Sequence, residues 1–83
     1  MEYKVIIMLY VPEIEEEYEL YIPINKTIGE ISLLLCKTVN DISKVFPVKS
    51  SACLCNKQTG LIYDKNLLVR ETDIKNGSKI ILY

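Results

Sequence analysis

The chain has 83 residues, of which 49% are hydrophobic and 25% are charged. This composition excludes a disordered chain and predicts one small globular domain over residues 1–83. The formal net charge is −1, which gives no electrostatic basis for binding nucleic acid.

Two strand-like runs open the chain. Tyr3–Val11 is rich in β-branched and aromatic residues, and Tyr18–Ile24 resumes the same pattern after a polar connection. They predict a hairpin whose turn is longer than two residues. Pro23 cannot donate a backbone hydrogen bond, so it is expected at a sheet edge or near a strand end. Five acids lie within Glu13–Glu19, which indicates either a solvated turn or an acidic docking site.

A helix is predicted over Thr27–Ser43. Thr27 and Glu30 have the spacing of a capping box, and Phe46-Pro47 is expected to end the run because a residue before proline avoids helical geometry. Apolar residues recur at spacings of three or four and predict a stripe that packs on a sheet. The stripe contains Ile28, Ile31, Leu35, Val39 and Ile42, and is widened by Leu33, Leu34 and Cys36.

The second half predicts shorter elements. Ala52–Asn56 and Leu61–Asp64 form a predicted hairpin, Asn66–Thr72 a loop or single helical turn, and Asn76-Gly77 a tight turn. Lys79–Tyr83 is a final strand, expected to pair parallel with the first strand in the middle of the sheet. The predicted fold class is α+β, with a mixed sheet of four to five strands and one helix packed across one face.

The alternation of strand side chains indicates an unusual outer face. If Lys4 faces water, the side of the sheet opposite the helix carries Ile6, Met8, Tyr10, Tyr21, Ile81 and Tyr83. An open face in a one-helix domain should be polar, whereas an apolar and aromatic face is typical of a partner surface. We therefore predict that these six residues bind a protein partner or a second copy of the chain.

No catalytic constellation is found in the sequence. Histidine is absent, and the three glycines are too scattered for a phosphate-binding loop. Cys53 and Cys55 share one strand face roughly 7 Å apart, too far for a relaxed disulfide. Together with Cys36 they make only an incomplete soft-metal site, so ordinary packing is expected. We predict no enzyme activity, no cofactor and no metal.

The cellular setting is predicted from the cysteines and the apolar runs. Three cysteines are an odd number, no signal peptide is recognised, and Val5–Val11 is too short to span a membrane. We expect a reduced, cytoplasmic protein without direct membrane insertion.

The order of elements resembles the ubiquitin-like β-grasp superfamily. The matching pieces are the opening hairpin, the TIGEI sequence at Thr27–Ile31, Phe46-Pro47, and the ending from Leu67 through Asn76-Gly77 to Leu82. In pattern and length the chain is similar to the short bacterial YukD/EsaB type, which is associated with type VII secretion systems. The resemblance implies a single β-grasp domain that binds proteins through its sheet face, as an accessory component of such a system.

One departure from the superfamily bears on function. Conjugated members and related sulfur carriers end in a flexible Gly-Gly tail, whereas this sequence ends Ile80-Ile81-Leu82-Tyr83. We therefore expect a non-catalytic interaction module. A structural homo-oligomer is the alternative, and a sulfur or protein-modifier carrier is a weaker one.

Overall fold

The computed structural model describes residues 3–44 and 52–83. In these residues four strands form one sheet in the order β2-β1-β4-β3, and one α-helix packs on it. The predicted α+β architecture is confirmed. The elements are β1 Lys4–Val11, a 3₁₀ turn Pro12–Ile14, β2 Glu16–Pro23, α1 Ile28–Ser43, β3 Leu54–Asn56, a 3₁₀ turn Val69–Glu71 and β4 Ser78–Leu82.

The opening hairpin pairs β1 and β2 along their full length, from Lys4 opposite Pro23 to Val11 opposite Glu16. Its turn is the 3₁₀ segment followed by Glu15, which has a left-handed φ of 52°. The predicted longer turn is therefore confirmed. Pro23 is the last residue of an edge strand, as its missing donor requires. Strand β2 begins two residues earlier than predicted because pairing with β1 continues up to the turn.

The final strand β4 pairs parallel with β1, with Ile7 opposite Ser78 and Tyr10 opposite Ile81. The Asn76-Gly77 turn fastens this pair at one end. The Asn76 Oδ1 atom accepts a hydrogen bond from the Ile6 N–H at 2.9 Å, and the Gly77 N–H donates to the Ile6 carbonyl oxygen at 2.8 Å. Gly77 has φ 88°, which glycine adopts without strain. The predicted central position of β4 is confirmed.

The helix begins as the sequence predicts. Thr27 Oγ1 accepts a hydrogen bond from the Glu30 N–H at 3.2 Å, and Glu30 Oε1 accepts one from the Thr27 N–H at 3.1 Å. These two bonds form the predicted capping box. The helix ends at Ser43, followed by Lys44 with φ 66°. The predicted terminator Phe46-Pro47 lies outside the described residues.

The helix stripe is narrower than predicted. Ile28, Ile31, Leu35, Cys36 and Val39 are buried in the core with residues of the sheet. Leu33 and Leu34 are exposed, because 3.6 residues per turn directs them away from that stripe. Ile42 lies on the stripe but is 55% exposed, since it sits in the last turn and borders an open groove. The prediction that these three residues pack inward is wrong.

Leu61–Asp64 does not form the predicted strand, although its predicted pairing with the preceding run is present as one antiparallel bridge, between Cys55 and Ile62. The Asn56 N–H donates to the Leu61 carbonyl oxygen at 2.8 Å, and the Tyr63 N–H donates to the Leu54 carbonyl oxygen at 3.0 Å. The Tyr63 side chain is buried, and Asp64 starts a new turn by accepting a hydrogen bond from the Asn66 N–H at 2.8 Å. The run is therefore too short to form a ladder. Of the two alternatives for Asn66–Thr72, a loop or a single helical turn, the structure has the helical turn, at Val69–Glu71.

We predict that Thr27→Ala destabilises the domain by about 1 kcal/mol, because it removes the cap acceptor of the Glu30 N–H. Urea unfolding followed by circular dichroism measures the change. Thr27→Ser keeps the hydroxyl and should retain most of the stability. Equal losses in the two variants would contradict a role for the hydroxyl.

Glu30 should contribute a pH-dependent part of the stability. Hydrogen bonds from the Thr27 backbone and side chain lower the pKa of Glu30 from its ordinary 4.5. The folded state thus favours the carboxylate. Its contribution is present above pH 4.5 and is lost as the pH falls through the lower folded pKa. Wild type should therefore lose stability relative to Glu30→Gln on acidification, and parallel pH profiles would contradict the assignment.

Candidate functional site: the outer sheet face

The four-stranded sheet has two unlike sides. On the side packed against α1, Ile7, Leu9 and Ile80 are completely buried. Side chains alternate along each strand, so the residues between them face the opposite side. All six residues predicted for that opposite side lie there, and we call this surface the outer face. It contains Ile6, Met8 and Tyr10 of β1, Tyr21 of β2, Ile81 of β4 and Tyr83 just beyond it.

The strand registers place these residues in rows across the sheet. Ile6 lies opposite Tyr21 at one end, and Tyr10 lies opposite Ile81 in the next strand. Between these rows Met8 is flanked by Glu19 and Lys79. Tyr21 is 66% exposed, while the four residues on β1 and β4 are partly buried by their neighbours. The outer face is therefore continuous and apolar, with charged residues of both signs between and around its apolar side chains.

Three further residues extend the outer face beyond the prediction. Cys55 pairs with Ile81 in β4 and with Ile62 on its other side, while Cys53 exchanges two backbone hydrogen bonds with Tyr83. Cys53, Cys55 and Ile62 therefore share the outer side. The sequence predicted that Cys53 and Cys55 share one face, because side chains alternate along a strand. The position of Ile62 was not, because it depends on one isolated bridge.

The cysteines are not brought together as a set. None of the three forms a disulfide: Cys36 is buried in the core beneath the sheet, while Cys55 and the half-buried Cys53 lie on the other side. No group of three potential metal ligands occurs among residues 3–44 and 52–83. Burial, followed by the neighbouring Cys55 and Cys53, raises the pKa of Tyr83. Its phenol is thus neutral at physiological pH and contributes an uncharged ring to the face.

Lys57 is a residue of the outer face that the sequence did not predict. Its side chain leaves the end of β3 and reaches across β4, placing Nζ 4.7 Å from the centre of the Tyr10 ring. The same Nζ lies 3.6 Å from Glu17 Oε2 on the edge strand β2. One side chain thus links the two edges of the sheet over its outer face. Nothing local in the turn sequence indicates this long reach.

No described helix is long and apolar enough to cross a membrane.

Comparison with known proteins identifies the fold. No protein family and no curated protein matches the chain. Among solved structures it is similar to the EccD5 ubiquitin-like domain from Mycobacterium xenopi, with 16% identity and a TM-score of 0.78 over 96% of this chain and 92% of that one. The chain therefore has the ubiquitin-like β-grasp fold, as predicted.

Two other structures show how widely this fold is used. A chain of the MycP5-free ESX-5 inner membrane complex matches with 16% identity and a TM-score of 0.80, over 96% of this chain but 20% of that one. A chain of the toluene 4-monooxygenase HD complex matches with 6% identity and a TM-score of 0.79, over 95% of each chain. At such identities the likeness concerns the fold.

We predict that Lys57→Met lowers stability by about 0.5–1 kcal/mol at low salt, because methionine keeps the apolar stem but loses the contacts with Tyr10 and Glu17. Salt should reduce the difference from wild type, since the ion pair is exposed. Chemical denaturation at two salt concentrations measures both effects.

Lys79→Met is the matched control, since Lys79 is on the same face and forms no ion pair among the described residues. Its stability should remain within about 0.5 kcal/mol of wild type. Equal destabilisation by the two variants would contradict a specific role for Lys57.

Proposed function

We propose that this chain is a non-catalytic ubiquitin-like module that binds a protein partner through its outer face. The observation that carries the proposal is the run of apolar and aromatic side chains on the side of the sheet opposite the helix. Burying apolar surface there would contribute about 25 cal/mol per Å². An interface of standard size buries roughly 800 Å² of accessible surface on each partner. The outer face would supply part of that area.

The chemistry of the outer face suits recognition of another protein. Tyr21 combines 66% exposure with a large ring and a polar hydroxyl, which are properties common among the residues that dominate binding energy. Glu19 and Lys79 flank Met8 and provide charges of opposite sign. Such a mixture confers orientation and specificity on an apolar contact.

We further propose that the partner belongs to a bacterial type VII secretion system, to which the chain is a cytoplasmic accessory component. Two observations support this narrower proposal. The sequence resembles the YukD/EsaB type, and the fold is similar to an EccD5 domain and to part of an ESX-5 inner membrane complex chain. The match with a monooxygenase component shows that the fold alone does not select this role.

We predict that Tyr21→Glu abolishes partner binding without unfolding the domain, because it replaces the most exposed ring of the outer face with a charged carboxylate. The tagged protein would be purified from its host in mild detergent, and co-purified secretion components quantified. Leu34→Glu on the helix is the matched control, since Leu34 is also apolar and exposed. Circular dichroism verifies the fold of each variant.

Wild type and Leu34→Glu should retain the secretion component, and Tyr21→Glu should lose at least about 90% of it, which corresponds to roughly 1.4 kcal/mol or more. If Tyr21→Glu and Tyr83→Glu both retained the secretion component, the outer face would not be the binding site. Recovery of a partner outside any secretion complex would overturn the narrower proposal only. Sedimentation showing a dimer that Tyr21→Glu dissociates would replace the partner with a second copy.

A further inference from the structure

A second apolar surface lies beside the sheet, beyond β3. It is a shallow groove of about 380 Å³ between the segment 61–64 and the segment 67–73, and we call it the side groove. Leu61 is 57% exposed and Ile62 is 56% exposed, and Leu67 is exposed on the facing segment. Solvation of three large aliphatic side chains in one place is unfavourable and is typical of a contact surface.

The walls of the side groove are held by several independent bonds. The Tyr63 phenol is buried and donates a hydrogen bond to Asp73 Oδ1 at 2.7 Å, which joins the two segments. The second segment is also attached to the start of the helix, because the Ile28 N–H donates to the Leu67 carbonyl oxygen at 2.8 Å. The groove is therefore formed before any ligand arrives, which reduces the entropic cost of binding.

The charged residues that line the side groove all have one sign in the described part of the chain. Asp64, Glu71 and Asp73 line it, and no described lysine or arginine does. Each carboxylate accepts one hydrogen bond from its own chain: Asp64 from the Asn66 N–H, Glu71 from the Leu68 N–H, and Asp73 from Tyr63. These bonds use one oxygen of each group. None of the three forms an ion pair within the described part of the chain.

Two cations adjacent to these carboxylates in the sequence form no ion pair with the rim. Lys65 follows Asp64 and Arg70 precedes Glu71, yet neither lines the groove or reaches a carboxylate within salt-bridge distance. Each carboxylate retains an oxygen that can accept from an external donor. The side groove thus combines exposed apolar side chains with three carboxylates that form no ion pair within the described part of the chain.

We propose that the side groove is a second docking site, which takes a basic peptide segment carrying a large apolar side chain flanked by arginine or lysine. The apolar side chain would cover Leu61, Ile62 and Leu67, and the flanking cations would donate to the free carboxylate oxygens. Arginine fits best because its planar guanidinium pairs with a carboxylate through two parallel hydrogen bonds.

Other ligand classes suit the side groove less well. Nucleic acid and other phosphates would be repelled by three carboxylates. A small-molecule site encloses most of its ligand, whereas two aliphatic residues that line this groove are more than half exposed. A polypeptide segment can cover such an open surface, because it extends beyond the groove on both sides.

The test uses the full chain, labelled with ¹⁵N, and three synthetic peptides in a Gly-Ser background. The first carries a leucine flanked by arginines, the second has glutamates in place of the arginines, and the third has serine in place of the leucine. Titration should shift amide resonances in residues 61–73 for the first peptide, while the amides of Ile6, Met8 and Tyr21 stay unchanged. Binding should weaken with salt.

Variants then separate the contribution of the carboxylate charges to peptide binding from that of the apolar contact. Asp64→Asn, Glu71→Gln and Asp73→Asn each keep an acceptor oxygen for the internal hydrogen bond and lose the charge. Each should weaken binding of the first peptide by roughly three-fold, as expected for an exposed ion pair. Leu61→Ser should weaken it by about ten-fold or more. Glu19→Gln, an acid on the outer side of β2, is the matched control and should not change it.

Equal binding of the arginine and glutamate peptides would overturn the proposal, as would shifts of Ile6, Met8 and Tyr21 or no shifts at all. Concentration-dependent shifts of residues 61–73 without peptide would assign the side groove to a second copy and also overturn it. The inference is independent of the outer-face proposal. Tyr21→Glu should bind the first peptide like wild type even where it has lost its partner.

Discussion

The structure depends on one constraint: the central strand β1 is apolar on both of its sides, whereas the described chain supplies one helix. Ile7, Leu9 and Val11 are completely buried beneath α1. Ile6, Met8 and Tyr10 alternate with them and must face the other way. A register slip of one residue would exchange the two sets without making either side polar. The outer face is therefore apolar as a direct consequence of the composition of this strand.

The alignment of β4 with β1 is fastened at one end by the Asn76-Gly77 turn. Asn76 and Gly77 together satisfy both the N–H and the carbonyl of Ile6. Because β1 and β4 are parallel and distant in sequence, no hairpin turn can align them. Together with the β1–β4 ladder, this turn places Tyr10 beside Ile81 and extends the outer face across the two central strands. Local turn chemistry thus specifies a surface assembled from distant parts of the chain.

The sequence predicted those features that local interactions determine. The capping box, the long hairpin turn, the place of Pro23 and the alternation along each strand all follow from neighbouring residues. The helical period itself directs Leu33 and Leu34 away from the stripe, whereas the other errors concern tertiary packing. Ile42 has the right helical period but lies in the last turn, and Leu61–Asp64 has strand-like composition but makes one bridge. The reach of Lys57 to Tyr10 depends on strand order, which periodicity does not contain.

The two surfaces meet at Ile62, and their charges differ in a way that keeps them distinct. On the outer face Lys57 pairs with Glu17, so part of its charge is already compensated inside the chain. In the side groove the three carboxylates accept hydrogen bonds from backbone N–H groups and a phenol, and none forms an ion pair among the described residues. An apolar surface with paired charges selects partners chiefly by shape, whereas an acidic rim without ion pairs selects them also by charge. A single β-grasp domain can therefore bind a protein partner on its outer face and a basic peptide in its side groove. Both ligands would contact Ile62.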